Sequence, residues 1–179
     1  MQTRRRLLLI ALLAPALPVR AGTPPPELSA ALPAARLQGE GRLRFFGLHV
    51  YDIRLWTAAA FSPERWAEAP IALEIEYART LYGKAIAERS IDEMKRQGEM
   101  TADRSDRWLA EMTRLFPDVK EGDRITGVQQ PGAGVSFFIN GRARGEVRDA
   151  DFARRFFGIW LAPQTSEPGL RERLFGRAP

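Results

Sequence analysis

The sequence lacks the residues on which most metal and covalent chemistry depends. Its 179 residues include no cysteine and a single histidine, His49. Disulfides, thiolate ligands and thiol catalysis are therefore excluded, and so are zinc sites that need several imidazoles. We expect neither a metal nor a cofactor, and we expect packing to hold the fold together without covalent cross-links.

Long hydrophobic runs are also missing. A membrane-spanning helix needs about twenty apolar residues, whereas the longest apolar stretch, Leu7 to Val19, is shorter and contains Pro15 and Pro18. Three arginines precede this stretch, and the small residue Ala21 follows it. This order predicts a cleavable export signal over residues 1–21, cut after Ala21, and a periplasmic or secreted protein without an integral membrane segment.

Two export routes are compatible with this signal. Residues 3–8, Thr-Arg-Arg-Arg-Leu-Leu, resemble a twin-arginine motif, which directs export after folding. Ordinary secretory signals also begin with several basic residues, so the sequence leaves both routes open. Because no cysteine follows the apolar stretch, a lipoprotein anchor is excluded.

The excess of positive charge disappears once the signal is removed. The whole chain has 27 basic and 22 acidic residues, which gives a net charge of +5. The signal contains four of the arginines and no acid, so the mature chain retains 23 basic against 22 acidic residues. Nucleic-acid binding requires a basic face, and this balanced composition predicts that the protein does not bind nucleic acid.

The mature chain has the length of one domain with a sizeable core. Residues 22–35 contain three consecutive prolines, Pro24 to Pro26, and predict an extended leader. Residues 36–179 predict a single folded domain.

Hydrophobic periodicity in this domain predicts an α+β fold. Helical spacing predicts two helices in the middle of the chain and two short helices after Asp149. The dipeptide Asn140-Gly141 is a strong signal for a two-residue hairpin turn. Period-two alternation predicts strands within residues 37–57, 71–77, 123–129, 135–139 and 142–147. Because strands and helices occur in separate runs, we expect an antiparallel β-sheet with the helices packed on one face.

Several sequence blocks occur in the order found in a known family. They are Gly39-x-Gly41 with the later Val50-Tyr51, the polar helix before Gly98, Asp118 to Asp123, and the corner Ile159 to Pro163 with its closing Leu174-x-Gly176. Through these blocks the chain resembles the exported bacterial branch of the chalcone isomerase-like family. The resemblance implies the open-faced β-sandwich of chalcone isomerase and a protein without a cofactor. Ala162 departs from that branch, which usually has glycine there.

The resemblance also implies where a site would lie. In the plant enzymes an arginine, a tyrosine, an asparagine and two threonines position a flavonoid in a cleft between sheet and helices. In this sequence the tyrosine corresponds to Tyr82 and the asparagine to Arg89. The two threonines correspond to Phe46 and Leu170. Because most of the polar set is lost, we do not expect an enzyme that forms flavanones.

The family arginine falls on Leu43 in the simplest register, but a one-residue shift at a bulge would aim Arg44 inward instead. The resemblance therefore predicts a cleft whose polar groups are Tyr82, Arg89 and Arg44. Its apolar lining is predicted to be Phe46, Leu48, Ile86 and Trp160.

Each of these polar residues also has an ordinary structural interpretation. Tyr82, near a helix start, is equally typical of an amphipathic boundary position. Arg89, on an amphipathic helix, could pair at the surface with a neighbouring acid such as Glu88 or Glu93. Arg44, on a strand, could belong to a solvated face.

We expect a noncatalytic exported protein that binds a fatty-acid-like or other amphipathic small molecule. Related plant proteins of this fold resemble fatty-acid binders that place an arginine and a tyrosine on the carboxylate. One alternative is a cofactor-free isomerase or intramolecular lyase on an unknown substrate, with Tyr82 as the acid and Arg89 or Arg44 as the electrostatic stabiliser. Another is an interaction or accessory module whose cleft is filled by Phe46 and Leu170. The sequence does not predict the identity of a protein partner.

Overall fold

The computed structural model describes residues 22–58 and 60–177. The predicted export signal, residues 1–21 with its cleavage site at Ala21, lies outside the described residues. Within the described ranges, none of the helices has both the length and the apolar character needed to span a membrane.

In the part of the chain that the structure describes, six strands form one antiparallel sheet in which every strand pairs with its neighbours in sequence, in the order β1 to β6. The strands are β1 Arg36–Phe45, β2 Leu48–Thr57, β3 Ile71–Tyr77, β4 Arg124–Gln130, β5 Gly134–Ile139 and β6 Arg142–Val147. Asn140 and Gly141 adopt φ of 49° and 80° between β5 and β6, so the predicted hairpin turn is confirmed.

Within residues 22–58 and 60–177, five α-helices and one short 3₁₀ helix accompany the sheet. The α-helices are α1 Leu28–Ala31, α2 Gly83–Lys95, α3 Ala102–Leu115, α4 Ala150–Leu161 and α5 Pro168–Leu174. The 3₁₀ helix is Pro63–Glu68. Helices α2 to α5 all contribute buried residues to one hydrophobic core on a single side of the sheet. The prediction of an α+β fold with an antiparallel sheet is confirmed, and the four longer α-helices lie on one face as predicted.

The alternation of side chains separates the two faces of the sheet. Ile53, Ile75 and Ile125 are register partners on three neighbouring strands, and all three are buried beneath the helices. Arg54, Glu74 and Thr126 are register partners one residue further along, and they therefore lie on the opposite face. The period-two pattern of the sequence thus corresponds to one apolar face and one face that contains charged groups.

Capping explains where α4 begins. The Asp149 carboxylate accepts hydrogen bonds from the backbone N–H groups of Asp151 and Phe152 at 2.9 and 3.0 Å, which satisfies donors that lack an intrahelical partner. The indole of Trp108, on α3, donates a further 2.9 Å hydrogen bond to the same carboxylate. One side chain therefore starts α4 and ties it to α3.

The glycines at residues 39 and 41 allow α5 to lie directly on β1. A Cβ atom on Gly39 would be 2.1 Å from the carbonyl oxygen of Arg173, and one on Gly41 would be 2.4 Å from Leu170 Cδ1. The register of β1 shifts between Leu37 and Gly39, as expected for a bulge at this position. The glycine pair in the sequence therefore marks a close approach of helix and strand.

Residues 22–35 differ from the predicted extended leader, because α1 forms within them and packs on the opposite face of the sheet. Leu28 is fully buried against a small cluster that contains Trp56 and Val128. Just before α1, the Glu27 carboxylate accepts a 2.8 Å hydrogen bond from Thr126 Oγ1 and pairs with Arg124 at 3.1 Å. Long-range contacts that the proline-rich composition does not reveal therefore fold this segment onto the sheet.

Candidate ligand-binding site

A cavity of about 430 Å³ lies between the helix-facing side of the sheet and helices α2 and α4. Its volume is within the range of about 300–1,000 Å³ that small-molecule sites occupy. Most of its wall is apolar, contributed by Leu43, Phe45, Val50, Ile75, Leu81, Ala85, Ile86, Phe116, Ile125, Phe156, Ile159 and Trp160. The residues that contribute polar groups are Tyr51, Tyr77, Arg79, Thr80, Arg89, Ser90, Glu93, Ser166 and Glu167.

The strands supply two tyrosines to the cavity. Tyr51 on β2 and Tyr77 on β3 are register partners, and their ring centroids lie 6.1 Å apart in an edge-to-face arrangement. Trp160 Nε1, on α4, donates a 2.9 Å hydrogen bond to the Tyr51 hydroxyl oxygen. Burial raises the pKa of both tyrosine hydroxyls. Both groups therefore remain protonated at neutral pH and are hydrogen-bond donors.

Helix α2 supplies an ion pair. Arg89 and Glu93 are one helical turn apart, and the Arg89 guanidinium lies 2.5 Å from Glu93 Oε1. The arginine side chain is 67% exposed, whereas the glutamate side chain is 8% exposed. Arg96 Nε lies 3.6 Å from the other oxygen, Glu93 Oε2. The carboxylate is thus the inner member of the pair, and the arginine is the outer one.

Three of the seven predicted site residues line the cavity, namely Ile86, Arg89 and Trp160. Ile86 and Arg89 lie on α2, and Trp160 lies on α4. Arg89 also forms the pair with Glu93 that its position on an amphipathic helix suggested. Arg89 therefore pairs within α2 and also borders the cavity, and its contact with a ligand stays a prediction.

Three further predicted residues lie at the turn between β1 and β2, outside the cavity. Phe46 has a φ of 48° and is 90% exposed, and it forms a two-residue turn with Gly47. Arg44 is exposed and donates to the Gly47 carbonyl at 3.2 Å, while Leu48 is 55% exposed. Their prediction as lining residues is wrong, because the hairpin tip extends beyond the helices that cover the sheet.

Tyr82 also lies outside the cavity, although it was predicted as a ligand contact. It is the N-cap residue of α2 and is 70% exposed. The next residue, Gly83, faces inward, since a Cβ atom there would be 2.2 Å from the carbonyl oxygen of Phe116. The chain therefore enters α2 with the glycine against the core and the tyrosine in solvent.

The two strand registers predicted for the family arginine differ in whether Leu43 or Arg44 faces the cavity. A register shift does occur between Leu43 and Arg44, but Leu43 lines the cavity and Arg44 does not. Of the two residues considered, Leu43 is thus the one that contributes to the cavity wall, and its correspondence to the family arginine stays a prediction. The strand wall at this point is apolar.

Sequence reasoning missed Tyr51, Tyr77 and Glu93 as site residues. Period-two alternation puts Tyr51 on the same face as Ile53, and Tyr77 on the same face as Ile75, so their inward orientation was readable from the sequence. Their pairing depends on the cross-strand register, which the sequence does not specify. Glu93 looked like a surface acid, because a carboxylate is seldom buried without a partner.

A metal site would need several histidine or acidic side chains close together. Within residues 22–58 and 60–177, no group of three or more histidine, aspartate or glutamate side chains is arranged to bind one. The polar groups that line the cavity include hydroxyl, guanidinium and carboxylate groups around an apolar space.

Comparison with known proteins agrees with this fold. The family described as chalcone isomerase-like matches residues 24–176. A Haemophilus influenzae protein described as uncharacterized is 32% identical over 129 residues, which cover 72% of this chain and 62% of that protein; the chain thus spans less than two thirds of that relative's length. The crystal structure of an Arabidopsis thaliana fatty-acid binding protein aligns with a TM-score of 0.61 and 17% identity, over 79% of this chain and 87% of that one. At that level of identity, the alignment shows a shared fold.

Proposed function

The chain belongs to the chalcone isomerase-like family, and from this premise we propose that it is an exported, noncatalytic protein that binds a fatty-acid-like or other amphipathic small molecule. The single observation that carries the proposal is the cavity of about 430 Å³ between the sheet and helices α2 and α4. The fold shared with a plant fatty-acid binding protein supports it.

The lining of the cavity favours an elongated apolar body with one polar end. Leu43, Ile125 and Phe156 belong to the apolar wall, whereas Arg89 and Glu93 form a polar border on α2. Burying apolar surface of a ligand against such a wall is favourable by roughly 25 cal/mol per Å². An acyl chain or a similar hydrocarbon would gain most of its binding energy from this contact.

Export is supported by the sequence of residues 1–21, whose basic start, short apolar stretch and Ala21 have the order of a cleavable signal. We therefore place the mature protein in the periplasm or outside the cell. In either compartment an apolar small molecule is poorly soluble, and a carrier or a scavenger would give it a protected environment.

The alternative in which Tyr82 is a catalytic acid has less support. A general acid must come within hydrogen-bond reach of the reacting group, whereas Tyr82 is 70% exposed and does not line the cavity. The alternative of a filled cleft also has less support, because Phe46 lies at the exposed hairpin tip and Leu170 packs under β1 near Gly41.

Native mass spectrometry tests the proposal without a guess about the ligand. The full chain would be produced with its signal, and the exported protein would be analysed before and after lipid extraction. We expect a bound molecule of lipid mass that is released on denaturation. Protein that is empty, and that also takes up no added dodecanoate or dodecanol, would overturn the proposal.

A pair of tryptophan substitutions localises the binding. Ala85 is exposed and lines the cavity, so Ala85→Trp should fill part of that space and reduce occupancy. Ala110 is exposed on α3 and does not line the cavity, so Ala110→Trp is the matched control and should retain the ligand. Equal occupancy in both variants would contradict this location.

A further inference from the structure

The Glu93 carboxylate is a buried charged group beside the cavity, and its hydrogen-bonding capacity is only partly used. Its side chain is 8% exposed, and Oε1 pairs with Arg89. Among the described residues, Oε2 has no hydrogen-bond partner, although Arg96 Nε lies 3.6 Å away. A carboxylate offers about four acceptor sites, and the Glu93 side chain lines the cavity, so the group as a whole has capacity to accept a donor from a bound molecule.

The opposite wall of the cavity presents donors. The Tyr51 hydroxyl oxygen accepts from Trp160, which leaves the Tyr51 O–H free to donate. The Tyr77 ring lies edge-to-face with the Tyr51 ring on the next strand and also lines the cavity, and burial keeps both hydroxyls protonated. A polar group held between β2, β3 and α2 would therefore meet donors on one side and an acceptor on the other.

The charges around the cavity balance. Its lining includes two basic residues, Arg79 and Arg89, and two acidic residues, Glu93 and Glu167. Arg89, which a ligand carboxylate would approach, is already matched by Glu93 at 2.5 Å. A carboxylate placed there would face the like charge of Glu93, whose side chain is only 8% exposed, and would be repelled by it.

We infer that the cavity selects an amphipathic molecule whose polar end is neutral and both donates and accepts hydrogen bonds, such as a long-chain alcohol or a primary amide. The Glu93 carboxylate accepts from this head group, and the tyrosine hydroxyls donate to it. A long-chain carboxylate is a poorer ligand because it brings acceptors only and a second negative charge. This inference rests on the proposed function and specifies the head group that the same cavity takes.

Calorimetric titration of the mature protein with dodecanol, dodecanamide and dodecanoate tests the inference. We expect the alcohol and the amide to bind about tenfold more tightly than the carboxylate, since one hydrogen bond to a charged group corresponds to roughly that factor. Glu93→Gln removes the negative charge and releases Arg89. In this variant we expect the alcohol to lose about tenfold in affinity and the carboxylate to gain, so that the preference reverses.

Glu88→Gln is the matched control, because Glu88 lies on the same helix, pairs with Lys84 and does not line the cavity. It should leave all three affinities unchanged. Thermal unfolding would verify that the Glu93→Gln variant is folded. Glu93→Asp provides a second variant, which keeps the charge on a shorter side chain. It should weaken alcohol binding without improving carboxylate binding.

The outcomes separate this inference from the proposed function. If none of the three compounds binds saturably, the proposed function fails and the inference with it. If dodecanoate binds more tightly than dodecanol, or if Glu93→Gln changes all three affinities by the same factor, the inference is overturned while the proposed function stands. Reversal of the preference in Glu93→Gln, with no change in Glu88→Gln, would support it.

Discussion

Trp160 Nε1 donates a 2.9 Å hydrogen bond to the hydroxyl oxygen of Tyr51 and so joins α4 to β2 at the cavity wall. The two residues are 109 positions apart in the sequence. Because the tyrosine oxygen accepts this bond, the Tyr51 O–H hydrogen is not used in it and can donate to another group. The bond also holds the Tyr51 hydroxyl oxygen in place at the cavity wall. The same bond connects the helix layer to the sheet.

Trp160→Phe should therefore affect both stability and binding. We expect a loss of about 0.5–1.5 kcal/mol in the free energy of unfolding from the missing hydrogen bond, with some further loss from the smaller ring. Affinity for a ligand that meets Tyr51 should also fall. Urea denaturation and ligand titration would measure the two effects. Trp66→Phe is the control, since Trp66 is similarly buried but does not line the cavity; equal loss of binding in both variants would contradict the role of the bond.

Glu27→Ala should destabilise the protein by about 1–3 kcal/mol, because it removes charge-assisted hydrogen bonds to Arg124 and Thr126 from a fully buried side chain. The midpoint of urea denaturation would report this loss. Glu68→Ala removes an exposed pair with Arg65, for which we expect no more than about 1 kcal/mol. Similar effects of the two changes would show that residues 22–35 contribute little to the stability of the sheet.

Asp149 should make stability depend on pH. Burial opposes ionisation of its carboxyl group, but hydrogen bonds from the Phe152 N–H, the Trp108 indole and the Asp151 N–H outweigh this effect and lower its pKa. A lowered pKa in the folded state contributes stability that is present above the unfolded-state value of about 3.9 and is lost as the pH falls through the folded-state pKa.

Asp149→Asn keeps a capping oxygen but removes the negative charge at the N-terminus of α4, so it should lower the free energy of unfolding by about 0.3–1 kcal/mol at neutral pH. The difference from the unmodified protein should shrink below about pH 4. Urea denaturation at several pH values would follow it. Asp106→Asn, at an exposed position on α3, is the control and should give a small effect at every pH. A difference for Asp149→Asn that stays constant down to low pH would refute the linkage.

Gly39→Ala should destabilise the protein by about 1–3 kcal/mol, because the added Cβ atom would lie 2.1 Å from a backbone oxygen of α5 and force the helix away from β1. Gly169→Ala is the matched change within α5, where the nearest atom is 4.0 Å away, at the end of the Arg173 side chain. There we expect a gain of about 0.5–1 kcal/mol from helix propensity. Thermal unfolding of the two variants should thus show shifts of opposite sign.

Phe46→Asn tests whether the hairpin tip between β1 and β2 lies outside the binding site. Asparagine tolerates positive φ better than phenylalanine, so we expect stability to be unchanged or to rise by about 0.5–1 kcal/mol. Ligand affinity should not change, because Phe46 is 90% exposed. Leu43→Asn, which places a polar amide in the apolar wall, should weaken binding. If Phe46→Asn weakened binding as much as Leu43→Asn, the hairpin tip would belong to the site after all.

The elements that sequence reasoning predicted correctly are those determined by neighbouring residues. The turn at Asn140-Gly141 requires positive φ at two positions, and these residues tolerate it. The helix after Asp149 begins where a carboxylate accepts hydrogen bonds from N–H groups two and three residues ahead. Both features are encoded within a few residues, and both were correctly predicted.

The site was less predictable because distant contacts determine it. Tyr82 points to solvent since Gly83 is pressed against the backbone of Phe116, more than thirty residues away. Tyr51 and Tyr77 meet because of the β2–β3 register. The burial of Glu93 depends on the position of α2 against the sheet. None of these relationships follows from local spacing. In contrast, helical spacing put Ile86, Arg89 and Trp160 on helices, and the family resemblance then predicted a cleft beside those helices.

The contact between Glu27 and β4 also has a consequence for biosynthesis. Its partners Arg124 and Thr126 follow Glu27 by 97 and 99 positions, so a ribosome must make roughly that much more chain before the contact can form. Until then the surface of the sheet against which Leu28 and Leu32 pack is incomplete. The first residues that the structure describes are thus among the last to reach their final place, and a chaperone that holds the nascent polypeptide during this interval would find exposed apolar side chains there.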